Sequence, residues 1–273
     1  MISVVCWVWS GVHLGDRPYR PSHVNALRQA VAAHLPLPHR FVCVADSTDG
    51  FDPEVEVHLT PPEAKATGEL RSPEGGRFPS CYRRLYNFSE GAKAFGDRIL
   101  CTDVDWVPTR DLSPLFARSE DFVGWRPLRT WGSPHLLRFG GGVYLLTPGT
   151  RTEVWSTFRG ATSIAEARRA GFRGSDQAWI SYMLARREPY FTRESGIYSI
   201  RDLNNGHLPL PADARMVHFN GPVKPWSSPL PWVRQHWPGE IEPVPLRPQG
   251  RPAAIPARPR PRLPLRARVP IRR

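Results

Sequence analysis

The sequence is short of several things, and each shortage removes a class of protein. No stretch approaches the roughly 18 apolar residues that a membrane-spanning helix needs. Four cysteines, Cys6, Cys43, Cys81 and Cys101, are spread over the chain with no C-x-x-C pair, which argues against a zinc site or a disulfide frame. They read as small buried hydrophobes in a reducing compartment. The N-terminus, MISVVCWVWSG, lacks the basic start of a signal peptide and reads as a first strand in a cytoplasmic protein. Acidic residues are outnumbered, 25 against 37 Lys and Arg. The region 8–20 lacks the G-x-G-x-x-[RK] start that a nucleotidyltransferase would carry.

What is present is a globular composition, 40% hydrophobic and 11% aromatic over 273 residues, with ten tryptophans. That length buries a sizeable core in one large domain. The net charge of +12 is unevenly placed: residues 241–273 hold nine arginines, nine prolines and one acid, Glu242, so eight of the twelve charges lie there. The segment has no apolar period and builds no core. We read residues 1–240 as the folded domain and 241–273 as an extended basic tail. Such a tail suits an anionic membrane surface, as at the inner membrane face, or another polyanion. A solvated extension with no specific partner fits the same composition.

The folded part alternates strand and helix patterns. Apolar runs at 2–9, 40–46, 55–59 and 98–102 read as strands. Val24, Leu27 and Val31 recur at helical spacing after Ser22, a candidate N-cap, with Pro36 as the stop. Residues 60–79, rich in Gly, Pro and charge, read as a loop. From Ser80, apolar residues at 81, 85, 88, 92 and 95 predict one helix ending at Gly96. This order predicts an α/β fold with a mainly parallel sheet flanked by helices.

The strand at 98–102 runs into Asp103, Val104 and Asp105. Carboxylates beside a buried strand are costly unless paired. A cation, basic side chains or water must meet them. Their place past the carboxyl end of a strand is where open α/β sheets bind ligands. Two aspartates at i and i+2 suit one hard divalent ion, Mg²⁺ or Mn²⁺, together with phosphate. The segment VHFNGPVKPW, 217–226, offers His218 as a nitrogen ligand, Gly221 for close backbone approach and Lys224 as a point charge for phosphate.

Five segments, in order, resemble family 8 glycosyltransferases: DRILCTDVDWVPTRDLSPLF with its D-x-D, HFNGPVKPW with the late H-x-x-G-x-x-K-P-W motif, CYRRLYNF, FGGGVYLL at 139–146 and GSDQAWISYML at 174–184. The resemblance spans roughly residues 1–240. It implies a GT-A (Rossmann-like) nucleotide-sugar transferase fold, a UDP-sugar donor, a saccharide or glycoconjugate acceptor and a Mn²⁺ or Mg²⁺ ion held by Asp103, Asp105 and His218. Donor contacts are implied for Val8, Trp9, Ser10 and Gly11 near the uracil, and for Arg84, Val104, Gly140, Gly141, Gly221 and Lys224. Asp176 and Gln177 are implied at the reacting face of the sugar, although GSDQAW is also a good helix start with Ser175 or Asp176 as cap. The implied reaction retains the anomeric configuration. One departure stands out: the family carries asparagine where this chain has Gly140. Three functions are therefore weighed: a metal-dependent retaining hexosyltransferase, a metal-dependent nucleotidyltransferase, and a non-catalytic binding protein descended from a transferase. The loops 60–79 and 126–138 are the expected acceptor contacts.

Overall fold

A computed structural model describes residues 1–9, 19–127, 138–221 and 223–242. Ser10 and Gly11, most of the 126–138 loop and nearly all of the 241–273 tail lie outside the described residues. A compact unit runs from Met1 to Glu242.

The elements in chain order are β1 (Ile2–Val8), α1 (Pro21–His34), β2 (His39–Ala45), β3 (Glu56–Leu59), α2 (Pro62–Gly68), β4 (Arg98–Thr102), β5 (Trp106–Pro108), α3 (Ser113–Phe116), β6 (Phe122–Trp125), β7 (Gly140–Leu146), α4 (Glu153–Ser156), α5 (Ala161–Arg169), α6 (Asp176–Leu184), β8 (Tyr190–Phe191), β9 (Ile197–Ser199), β10 (Met216–His218) and α7 (Pro231–His236). Seven strands form one sheet in the order β3-β2-β1-β4-β7-β6-β8; a small sheet has the order β5-β10-β9. In the large sheet β3, β2, β1 and β4 are parallel, and β7 is antiparallel to both its neighbours. The sheet is thus mixed and mainly parallel, as the alternation of strand and helix patterns implied.

The strands alternate faces because side chains repeat every two residues. Val4, Cys6 and Val8 of β1, Leu100 of β4 and Val143 and Leu145 of β7 pack with α1 and the small sheet. Val5 and Trp7, Ile99 and Cys101, and Tyr144 and Leu146 pack on the opposite face, against Leu85, Phe88 and α6. All four cysteines are free and buried, as read from their spacing.

Three expectations are corrected. The helix from Ser80 to Gly96 is two 3-10 helices, Ser80–Phe88 and Glu90–Phe95, with Ser89 extended between them. Three residues per turn stack Tyr82, Leu85 and Phe88 in one apolar row and Cys81, Arg84 and Asn87 in another. Asn87 fixes the second row: its amide donates to the Tyr144 hydroxyl at 2.8 Å and accepts from the Trp7 indole at 3.0 Å. The loop 60–79 contains α2, whose Pro-Glu-Ala-Lys-Ala core has good helix propensity despite the prolines and glycines around it. Helix α1 starts at Pro21, with Arg20 as the cap residue in place of Ser22. Proline at the first helical position costs no hydrogen bond, and the His23 ring supplies the missing acceptor to the Arg20 N–H at 3.1 Å.

Candidate active site

The two aspartates lie where the chain leaves one sheet for the other. Asp103 follows β4, and its N–H still bonds the Gly142 carbonyl of β7 at 3.0 Å. Asp105 precedes β5, and its carbonyl accepts the Phe219 N–H beside β10 at 2.8 Å. Residue 218 pairs with Trp106 in the small sheet, so the crossing carries His218 to both carboxylates. His218 Nε2 is 3.2 Å from Asp105 Oδ1 and 3.4 Å from Asp103 Oδ2. One donor atom from each of the three falls within 4.8 Å of the others.

Basic side chains answer the aspartates as well. Lys224 donates to Asp105 Oδ2 at 2.5 Å and to the Phe219 carbonyl at 3.0 Å. Arg84 pairs with Asp103 and grips Asp176 with two bonds, 2.9 Å and 3.0 Å. Asp105 is 2% exposed. Burial alone would raise its pKa, but the charges of Lys224 and His218 outweigh that and hold the carboxyl well below its usual range. Burial likewise works against the Arg84 charge, and Asp176 reverses it, leaving the guanidinium more basic than usual. With His218 as the neutral ring a metal ligand must be, three carboxylates and two fixed cations leave the cluster one negative charge in excess.

The residues present fit a divalent ion. Two carboxylate oxygens and one imidazole nitrogen are a hard, mostly oxygen donor set. His218 also carries a buried ring nitrogen, Nδ1, with no hydrogen-bond partner among the described residues. An ion would turn the excess charge positive, the sign a diphosphate requires.

Glycines clear the space around these groups. A Cβ on Gly142 would lie 2.7 Å from His218 Cε1 and 3.1 Å from Asp103 Oδ2. A Cβ on Gly141 would meet Gln177, Arg84 and Asp176 at 3.0 to 3.5 Å. Among the described residues, nothing lies within 4 Å of the Cβ that Gly221 lacks, which leaves room there for a ligand to approach the backbone. Gly140 differs: a Cβ there would lie 2.6 Å from the Trp125 ring, so the indole stands where any larger side chain would begin.

Asp176 opens α6 and is fully buried; besides Arg84 it accepts the Ser175 hydroxyl at 2.8 Å. Gln177 Oε1 accepts the Gly141 N–H at 3.1 Å. Val8, Trp9 and Val104 are buried at the same edge of the sheet. The structure thus gathers Arg84, Asp103, Asp105, Gly141, Asp176, Gln177, His218 and Lys224 into one contact network.

Three aromatic residues at the site carried no motif. Trp106 stacks on His218, 4.6 Å between centroids and 9° between planes, and its indole N–H bonds the Gly142 carbonyl at 2.6 Å. Trp125 meets the same imidazole edge-on at 5.8 Å. Tyr19 has its ring 6.0 Å from the Lys224 ammonium, and burial followed by the Asp105 charge raises its hydroxyl pKa well above the ordinary value. The one signal for Trp106 was its place directly after the D-x-D.

No family model and no curated protein matches the chain. Solved structures do, glycosyltransferases among them. The galactosyltransferase LgtC, in complex with donor and acceptor sugar analogues, superposes with a TM-score of 0.58 at 14% identity, covering 86% of this chain and 93% of that one. GlyE from Streptococcus pneumoniae gives 0.53 at 13% identity over 87% of this chain and 60% of its own. Mouse xyloside xylosyltransferase 1 gives 0.51 at 12% identity over 80% and 97%. The chain has the GT-A fold of glycosyltransferases. These neighbours are of the type its five motifs resemble.

Proposed function

We propose that the chain is a retaining glycosyltransferase that moves a hexose from a UDP-sugar to a glycan, lipid-linked or other acceptor, with Mn²⁺ or Mg²⁺ as cofactor. The observation that carries this reading is the convergence of Asp103, Asp105 and His218 at the ligand-binding edge of a GT-A sheet, flanked by Lys224 and Arg84. Asp103, Asp105 and His218 would hold the ion, and when bound it would supply Lewis-acid stabilisation of the departing diphosphate. Lys224 and Arg84 bring fixed positive charge to the same leaving group, and preorganised charge of this kind is usually the main source of rate acceleration. Val8 and Trp9 would lie on the nucleoside side, where the resemblance also implies Ser10 and Gly11. Gly141 and Gly221 would let the donor lie close to backbone, and the resemblance places Val104 and Gly140 beside it.

At the sugar, Asp176 sets the Arg84 guanidinium and Gln177 presents its amide beside Gly141. An active-site glutamine is also the position changed in a second LgtC structure. Retention is supported by the engagement of all three carboxylates. Inversion needs a general base aimed at the acceptor. Asp103, Asp105 and Asp176 are each bonded to a cation. In the family the chain resembles, the leaving phosphate takes the acceptor proton on the same face. A cytoplasmic setting, with the 241–273 tail against an anionic membrane or polyanion, completes the reading.

Gly140 favours a second reading, a binding protein without turnover, because Trp125 fills the position of the family's asparagine. Calorimetry and product analysis separate the readings. UDP should bind the native chain with Mn²⁺ present and not without it. Asp105→Asn should abolish that Mn²⁺-dependent binding, and His218→Ala should weaken it by about 100-fold, the upper end seen when groups supporting a metal site are lost. UDP affinity unchanged in Asp105→Asn overturns the site. Proton NMR of the new anomeric centre should show an α-linked product from an α-linked donor, and a β-linked product overturns retention. Binding without any transfer or hydrolysis of UDP-sugars establishes the second reading.

A further inference from the structure

Arg83 and Arg84 are neighbours, both buried, and satisfied in opposite ways. Arg84 has charged partners at short range on two sides. Arg83 is 4% exposed, and among the described residues its guanidinium meets two acceptors, both distant: the Ser80 carbonyl at 3.3 Å and Asp46 Oδ1 at 3.4 Å. Its Cζ lies 4.7 Å from the centroid of the Trp9 ring. Gly68 leaves it room: a Cβ there would stand 2.5 Å from Arg83 Nε. Burial depresses its pKa, ahead of the opposing pull of Asp46 and Glu69. A guanidinium offers five N–H donors, and burying it with two long bonds is expensive unless a further acceptor arrives.

The place in the fold says which acceptor. Trp9 follows β1, Asp46 follows β2 and Asp103 follows β4, and these three parallel strands are adjacent. Asp46 and Asp103 are therefore two strand spacings apart, roughly 10 Å. That is about the reach of a nucleoside from its phosphates to the far edge of its base. The assignment rests on the proposed function, which puts a diphosphate at Asp103, Asp105 and His218. The base then extends past β1 toward Arg83.

We propose that Arg83 and Asp46 read the base of the donor nucleotide. Arg83 donates to a ring carbonyl, and Asp46 accepts from the ring N–H next to it. Uracil, thymine and guanine offer that C(=O)–N–H edge. Cytosine and adenine present an unprotonated ring nitrogen instead, which would face the Asp46 carboxylate without a proton between them. Sites that hydrogen-bond a ligand this way discriminate strongly, because a mismatch leaves buried polar groups unpaired. Trp9 and Gly68 are the two walls that hold the guanidinium plane.

The test is calorimetry of UDP and CDP with Mn²⁺ on the full chain, on Arg83→Met and on Asp46→Asn. The native chain should prefer UDP by tenfold or more. Arg83→Met, long and unbranched enough to occupy the same slot, should lose UDP affinity by tenfold or more, keep its CDP affinity and keep its Mn²⁺ dependence. Asp46→Asn should shrink the preference as well, and decides the matter where Arg83→Met does not fold. Equal native affinity for UDP and CDP, or a native ratio retained in the folded variants, overturns this inference and leaves the transferase reading standing. Failure of the native chain to bind either nucleotide overturns both.

Discussion

Gly140 and Gly142 lie two residues apart on one strand and point the same way, yet a side chain at each would strike a different neighbour. At 142 it would strike His218 and Asp103, the candidate ligands; at 140 it would strike the Trp125 indole. Introducing a side chain there with Gly140→Asn should therefore destabilise the fold by about 1–3 kcal/mol, the usual cost of overpacking. Adding Trp125→Leu should recover most of that loss, a coupling that a double-mutant cycle of thermal melts measures. Additive effects would mean that the indole and residue 140 do not compete for space. The aspartates were legible at this scale because an apolar strand running straight into carboxylates demands a partner. Which partner answered was not legible. Arg84 reaches Asp103 across 19 residues and Lys224 reaches Asp105 across 119, and only the assembled sheets bring such positions together.

Among the elements, α1 and the segment from Lys224 to Glu242 are tied by histidines. The His23 ring stacks on Trp226 at 3.8 Å, accepts the Arg20 N–H through Nδ1 and sits 3.1 Å from Glu242 through Nε2. A ring whose Nδ1 accepts an N–H is neutral, and burial lowers its pKa despite the opposing pull of Glu242. His34 and His236, 3.3 Å apart at the other end of α1, are lowered too, both chiefly by burial. For each, the unfolded chain takes up a proton near pH 6.5 while the folded chain still resists. The stability these rings contribute is complete above that pH and is lost as the pH falls through their folded values. Thermal melts should move down between about pH 7.5 and 5.5, and His23→Gln should flatten the profile; a native profile with no slope would contradict the assignment. Strands β1 to β4 were read from sequence because apolar runs bounded by turn residues leave little choice; the short β5, β6, β8, β9 and β10 were not. Nor were the 3-10 helices: apolar spacings alternating between 4 and 3 fit an α-helix, whereas the observed rows repeat every three residues, with Asn87 bonded to Trp7 and Tyr144.

Over the whole molecule, the compact unit includes Glu242 at its edge, where it pairs with Arg20 and His23 and where Ile241 packs on the core. Truncation after Glu242 should leave stability within about 0.5 kcal/mol, the scale of changes away from packed features. Truncation after Gly239 removes these contacts and should cost about 1 kcal/mol or more. Equal melting temperatures for the two would show that the last three residues hold nothing. Loss of residues 243–273 should also reduce binding to polyanions, and added salt should do the same to the intact chain.

The crossing from β4 to β5 also sets an order in time. A chain grows from its N-terminus, so the acids at 103 and 105 exist long before His218 and Lys224 are made. Asp105 waits for partners 113 and 119 positions ahead. At cellular rates of synthesis that interval is on the order of 10 s. Strands β1, β2 and β4 can pair during the wait, but Asp105 keeps its water until β10 arrives. The pocket is therefore the last part of the sheet edge to dry, and a ribosome that stops short of residue 224 leaves a nascent chain that has the acids and lacks the groups that bury them.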